Sequence, residues 1–209
     1  MQTVYENLPI GSIVANMGIL GFVPNRYYPN GRASFEAIAQ DIFIGENDIA
    51  FRCNLISLDN EKKIKDFTSN HISNNDALKI IDNIKVGDSN IEFYAGQSYR
   101  NICVVRNVNI LSSEIISHEP HNNIGSKAKN FLLKAKSINS EKIVKKLNEI
   151  MINSIDQIKE LNKKYKTSAD MLWFWSPSDS PNLPSFEMKY SKRGSIVCGL
   201  DFMRGIGNA

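Results

Sequence analysis

DIAFRCNLISL, residues 48–58, is a strand pattern with an arginine and an asparagine set among apolar residues. Successive side chains of a strand point to opposite faces, so Ile49, Phe51, Cys53 and Leu55 share one face and Ala50, Arg52, Asn54 and Ile56 the other. Arg52 and Asn54 then point the same way, roughly 7 Å apart at about 3.3 Å per residue. A guanidinium fork beside an amide can grip phosphate or carboxylate oxygens. The plainer reading is a half-exposed strand whose Arg52 pairs with a nearby acid, because structural ion pairs are commoner than anion sites.

Outward from this strand, a polar turn at Asp59–Glu61 leads to a second strand, KIKDFTS, and the two read as a β-hairpin. Ser73 or Asn74 caps a helix with Leu78, Ile81 and Ile84 at helical spacing. NIEFYAG and YRNICVVRNV form two more strands joined at Gly96-Gln97-Ser98. Upstream, Ser12 is placed to cap a short helix carrying Ile13, Val14, Met17 and Leu20. Pro24, Pro29, Asn30 and Gly31 make a long turn before a second short helix near Ala33, with Arg32 at the junction.

Residues 109–125 are irregular and contain His118-Glu119-Pro120-His121. The longest helix is expected from a Ser140 cap to about Lys163, on the apolar stripe Ile143, Val144, Leu147, Ile150, Met151, Ile155, Ile158 and Leu161. A strand ADMLWFW, a proline-rich loop SPSDSPNLPSF and a strand SIVCGLD close the chain. The fold class is α/β in the α+β sense: a mixed sheet backed by helices, with one long amphipathic helix near 140–163. A parallel strand order is left open.

The 209 residues suffice for a large core. No apolar run approaches bilayer length, and the first residues lack the basic and apolar regions of a signal peptide, so the expectation is a soluble, cytoplasmic protein without a membrane partner. Cys53, Cys103 and Cys198 lie in apolar runs without metal-type spacing and read as reduced thiols. A net charge of +3 is too small to imply nucleic acid. The lysine-rich 127–166 segment reads as a solvated helix face. No P-loop, dinucleotide fingerprint or zinc pattern is present.

The candidate chemistry is scattered. Ser12 at a helix start can be a plain cap, or a nucleophile or phosphate acceptor favoured by the free N–H groups and dipole of the helix. His118 and His121 can form a metal pair, contact phosphate, or hydrogen-bond at the surface. Arg32 and Arg100 can be simple surface cations.

In succession these pieces resemble the archaeal-type, cofactor-independent phosphoglycerate mutases of the alkaline phosphatase superfamily. The resemblance runs through LPIGSIVANMGILGF, YYPNGRASFEA, DIAFRCNLISLD, NHIS, SYRN, HEPHNNIG and MLWFWSPSDSPNLPSFEMKYSKRGSIVCGLDFMRGIG. It implies phosphoryl transfer between the two hydroxyls of phosphoglycerate through a phosphoserine at a two-metal site holding Mn or Mg. Ser12 matches the nucleophile and a metal contact; Arg32, Arg52, Asn54, Arg100, His118 and His121 match the substrate side.

The departures are equally specific. Ile13 stands where the family has an aspartate after the serine, and Asn122 where it has one after Pro-His. The family's metal-ligand segments lie upstream of the serine and downstream of Gly205-Ile206-Gly207, so this chain alone is expected to retain no metal and to be incomplete as an isomerase. The resemblance divides it into a catalytic-domain stub at 1–40, an inserted substrate-side domain at 41–190 and a return at 191–209. The alternative is a non-catalytic anion-binding module, as a homo-oligomer or with a complementing polypeptide.

Overall fold

The computed structural model describes residues 12–22 and 30–209, with the backbone alone for residues 12–14. The expected turn around Pro24 and Pro29 lies outside the described residues.

β1 (Ile49–Leu58) is the buried centre of a five-stranded sheet, and no residue along it is exposed. β4 (Arg100–Val105) pairs with β1 over Ile49 to Asn54, and β3 (Ile91–Tyr94) pairs with β4. β2 (Ile64–Asp66) takes over from β4 at Ser57 and Leu58, completing the expected hairpin. β7 (Met171–Asp179) covers the other edge of β1. Every pairing is antiparallel, which settles the strand order left open by the sequence. A small ladder, β5 (Ile115–Ile116) with β6 (Lys134–Ala135), lies apart.

The two faces of β1 do different work. Phe51, Cys53 and Leu55 join the main core with Phe174 of β7 and with α3 (Asn74–Ile81) and α4 (Ile138–Tyr165), through residues such as Ile80, Leu147 and Met151. Ala50 faces α2 (Ala33–Ile38) in a second cluster with Ala33, Ala37, Ile102 and Val104. A third cluster, Met17, Phe22, Phe35, Phe202 and Ile206, binds α1 (Ser12–Ile19) and α6 (Asp201–Asn208) to α2. α2 and α6 approach so closely that a methyl at Gly205 would run into the Phe35 carbonyl oxygen.

Two expectations are corrected. The cap of α4 is Ser137, whose hydroxyl accepts from the Ser140 N–H; Ser140 is the third helical residue and closes a reciprocal capping box. The segment SIVCGLD is not a strand: it has no ladder partner among the described residues, Val197 is fully exposed, and from Asp201 the chain turns into α6. Of its apolar side chains, Ile196 packs against the third cluster. The strand at ADMLWFW is also longer than expected, running through Pro177 to Asp179. Pro177 is tolerated because the pairing is irregular there. The short helix α5 (Phe186–Tyr190) follows.

Candidate functional site

The polar face of β1 lines a cleft of about 520 Å³. Arg32 and Glu36 come from α2, Arg52 and Asn54 from β1, Arg100 from β4, His121 from the turn Pro120–Asn123, and Asp201 from α6. Trp175, Tyr99 and Phe67 supply aromatic wall.

Arg52 and Asn54 are brought to this wall by strand alternation, and Arg100 joins them because it is the register partner of Asn54. Trp175 arrives by the same alternation, on β7. Opposite β1, the register of β7 slips by one residue between Ala50 and Arg52, and Ser176 is left-handed at φ 51°. The slip comes after Trp175: the unbroken register from Ile56–Met171 to Arg52–Trp175 sets Trp175 opposite Arg52 and turns Phe174, opposite Cys53, into the main core beside Phe51. The bulge serves α2. Ser176 Oγ accepts from the Arg32 N–H at 3.1 Å and Ser178 Oγ from the Ser34 N–H at 2.6 Å, so β7 satisfies a helix start that its own N-cap residue, Arg32, does not cap. Gly31 lets the chain pass this close, since a β-carbon there would strike the Ser176 and Pro177 carbonyls.

Arg52 is almost fully buried. Its Nε lies 2.7 Å from Glu36 Oε2, an ion pair whose angle falls short of a hydrogen bond, and its guanidinium lies 4.2 Å from the Trp175 ring centre. Arg32 approaches the same carboxylate at 3.6 Å and the same indole at 5.2 Å. Burial pulls the Arg52 guanidinium down to about 10, against the Glu36 charge and with the help of Arg32 and Arg100, so it is a cation at neutral pH. Burial also raises the Glu36 carboxyl, while Arg52 and Arg32 pull it down. The two readings of Arg52 offered by the sequence, ion pair and cleft wall, are therefore compatible.

The amide of Asn54 is committed on both sides: Oδ1 accepts from Trp175 Nε1 at 2.9 Å and Nδ2 donates to the Phe67 carbonyl at 3.2 Å. It fixes the aromatic wall while lining the cleft. Arg100 makes no ion pair among the described residues and lies over Tyr99 at 5.0 Å. His121 Nε2 is 2.9 Å from Glu119 Oε2, with its ring near Phe67 and Trp175.

His118 is separate from this group. Its carbonyl accepts from Trp173 Nε1, its ring edge meets Phe131, and its Nε2 is buried without a hydrogen-bond partner. Burial, then Lys134, lowers its imidazole. Ser12 opens α1, and its side chain lies outside the described residues.

Glu36, Trp175, Tyr99, Phe67 and Asp201 were not singled out from the sequence. Glu36 had a visible signal, the four-residue spacing from Arg32 on one helix. Trp175 had the alternation of Met171, Trp173 and Trp175, but what that face meets is set by the pairing of β7 with β1.

Among the described residues no three His, Cys, Asp or Glu side chains converge as metal ligands. The acids of the cleft, Glu36 and Asp201, are engaged by arginines, Asp201 by Arg204 at 3.4 Å. These donors do not make a metal site, and no step through a metal is derived from them.

The cleft lies between the antiparallel sheet and the short helices of an α/β protein and gathers three guanidinium groups, of Arg32, Arg52 and Arg100. Residues 1–162 match the 2,3-bisphosphoglycerate-independent phosphoglycerate mutase family, and the chain belongs to it. It is 34% identical over 215 residues to the 2,3-bisphosphoglycerate-independent phosphoglycerate mutase of Methanosarcina mazei, covering 99% of this chain and 51% of that protein. It is 32% identical over 214 residues to an enzyme of the same description, numbered 2, from Methanothermobacter thermautotrophicus, covering 99% of this chain and 51% of that protein. The cofactor-independent phosphoglycerate mutase of Thermoplasma acidophilum has a similar fold, with a TM-score of 0.62 at 21% identity, over 92% of this chain and 54% of that one. The chain thus spans about half the length of the curated relatives it matches. No helix among the described residues is long and apolar enough to cross a membrane.

Proposed function

We propose that the cleft takes a small phosphorylated acid, phosphoglycerate, and that the chain is the substrate-side portion of a mutase interconverting 3- and 2-phosphoglycerate in glycolysis and gluconeogenesis. The observation that carries this reading is the convergence of Arg32, Arg52, Arg100 and His121, from four separate elements, on one aromatic-walled cleft. Arg100, free of a carboxylate among the described residues, is the cation best able to take a ligand oxyanion; Arg52, held by Glu36 and Trp175, is the pre-positioned one. Trp175 and Tyr99 narrow the cleft and exclude water around those charges. On the resemblance, Ser12 accepts the phosphoryl group, and a divalent metal, Mn or Mg, supplies charge neutralisation in the whole enzyme.

The separate apolar cluster joining α1, α2 and α6 supports the reading of 1–40 and 191–209 as parts of a neighbouring catalytic unit, with 41–190 inserted between them. A second reading, an anion-binding module that acts with a partner polypeptide, is favoured by the pairing of Glu36 and Asp201 with arginines, which leaves little donor capacity in the cleft for a metal.

Calorimetric titration with 3-phosphoglycerate tests the site. Arg100→Ala should weaken binding roughly ten- to a hundredfold, the value of a charge-assisted contact of about 1.5–3 kcal/mol. No binding at millimolar ligand would count against both readings. Both readings expect binding without turnover from this chain alone; turnover with added Mn that Ser12→Ala abolishes would overturn the expectation that it is incomplete as an isomerase and would count against the second reading.

A further inference from the structure

Glu36 occupies the place that a bound oxyanion would compete for. Its carboxylate is shared by Arg52 at 2.7 Å and Arg32 at 3.6 Å, on a side chain only 10% exposed. Both guanidinium groups also lie against Trp175, which keeps solvent from the charges. A ligand anion reaching these arginines brings a second negative charge close to the first, in a site where screening is weak. Two like charges so placed cannot both persist at full strength, and the cheapest relief is protonation of the buried one.

We infer that Glu36 is the internal counter-ion of the cleft and takes a proton from solvent when a dianionic tetrahedral oxyanion, a phosphoryl or sulfate group, binds between Arg32 and Arg52. The proton moves onto a Glu36 oxygen, the ligand replaces the carboxylate as the partner of the two cations, and the cleft changes by one charge instead of two. This rests on the reading of the cleft as a phosphorylated-acid site and adds to it a preference for the dianion and a pH-linked affinity.

The charged groups around Glu36 are Arg32 on its own helix, Arg52 from β1, Arg100 from β4 and Asp201, with its Arg204, from α6. Asp201 acts in the same sense as the ligand charge, and burial already displaces Glu36 toward its neutral form. His121, across the cleft, is the other proton-accepting side chain that faces it.

Sulfate is the probe, because it stays a dianion from about pH 5 to about pH 8, so any proton taken up on binding goes to the protein. Calorimetry in buffers of different ionisation enthalpy should detect uptake approaching one proton per sulfate, with affinity falling toward tenfold per pH unit where uptake is complete. Glu36→Gln should remove the uptake and flatten the pH profile, whereas His121→Gln should keep both. Should Glu36→Gln leave buried Arg52 too poorly compensated to fold, His121→Gln decides alone: loss of uptake in it assigns the proton to His121 and overturns the inference. Sulfate bound without proton uptake also overturns it, while leaving the phosphoglycerate reading intact. Sulfate bound with uptake, but 3-phosphoglycerate bound no more tightly than sulfate, overturns the phosphoglycerate reading and leaves the inference standing.

Discussion

Single residues in this cleft act through their partners. Asn54 and Trp175 show this most directly, because the indole N–H is the donor to the buried Asn54 Oδ1 while the indole face carries Arg52. Trp175→Phe keeps an aromatic face and removes the donor, leaving an acceptor unpaired in a buried setting. The expected loss is about 1–3 kcal/mol in urea unfolding, together with weaker anion binding; an unchanged midpoint would mean that Asn54 finds another donor. At this scale the sequence was informative about type more than about role. Arg52 and Asn54 could be placed on one face by counting, and Arg100 could be noticed, but nothing local tells an arginine which carboxylate it will meet. Glu36 lies sixteen positions before Arg52 and on another element.

At the scale of elements, boundaries depend on small polar contacts that periodicity does not register. The apolar stripe of α4 indicates a long helix, and both Ser137 and Ser140 are suitable caps. Ser137 prevails because its extended backbone lets its hydroxyl reach the Ser140 N–H, while Glu114 holds it from the side. Ser137→Ala is therefore expected to cost about 1 kcal/mol and Ser137→Gly less, read by urea unfolding. A neutral Ser137→Ala beside a destabilising Ser140→Ala would return the cap to Ser140. The strand expected at SIVCGLD failed for a reason of the same kind: β propensity is realised only against a pairing partner, and the edge of β1 that it could have used is covered by β7. The bulge at Ser176 is an element-scale feature as well, visible in sequence only as an unexplained Ser-Pro after three aromatic positions.

For the molecule as a whole, the sheet is pinned at its other end by a charge cluster. Arg106 donates to Asp48 at 2.8 Å, to Glu92 at 2.7 and 2.9 Å and to the Tyr94 hydroxyl at 3.0 Å, tying the entry of β1 to β3. Burial would raise the Asp48 carboxyl, but Arg106 and the Gly45 and Asn107 N–H groups overcome it and hold it below the ordinary carboxylate range. Arg106 and Tyr94 hold the Glu92 carboxyl down likewise. Both groups bind protons less readily folded than unfolded, so their contribution is present above the unfolded carboxylate values, about 4, and is lost as the pH falls through the lower folded ones. Acid titration of stability should show this limb, and Arg106→Met should lower stability at neutral pH and flatten the limb; an unchanged limb would place the acid sensitivity elsewhere. Glu36, raised on folding, contributes in the opposite sense, favouring the fold below its unfolded value and losing that contribution as the pH rises through its folded one. By itself the sequence determined the α/β class and most helices and strands, because period is a local property; the grouping of Arg32, Arg52, Asn54, Arg100, His118 and His121 as one site came from the family resemblance. Tertiary structure alone decided the antiparallel order, the pairing of Trp175 with Arg52, the separation of His118 from His121 and the capture of Arg52 by Glu36. Each of these depends on which distant backbone edge or buried charge is brought within a few ångströms, and only the folded chain fixes that.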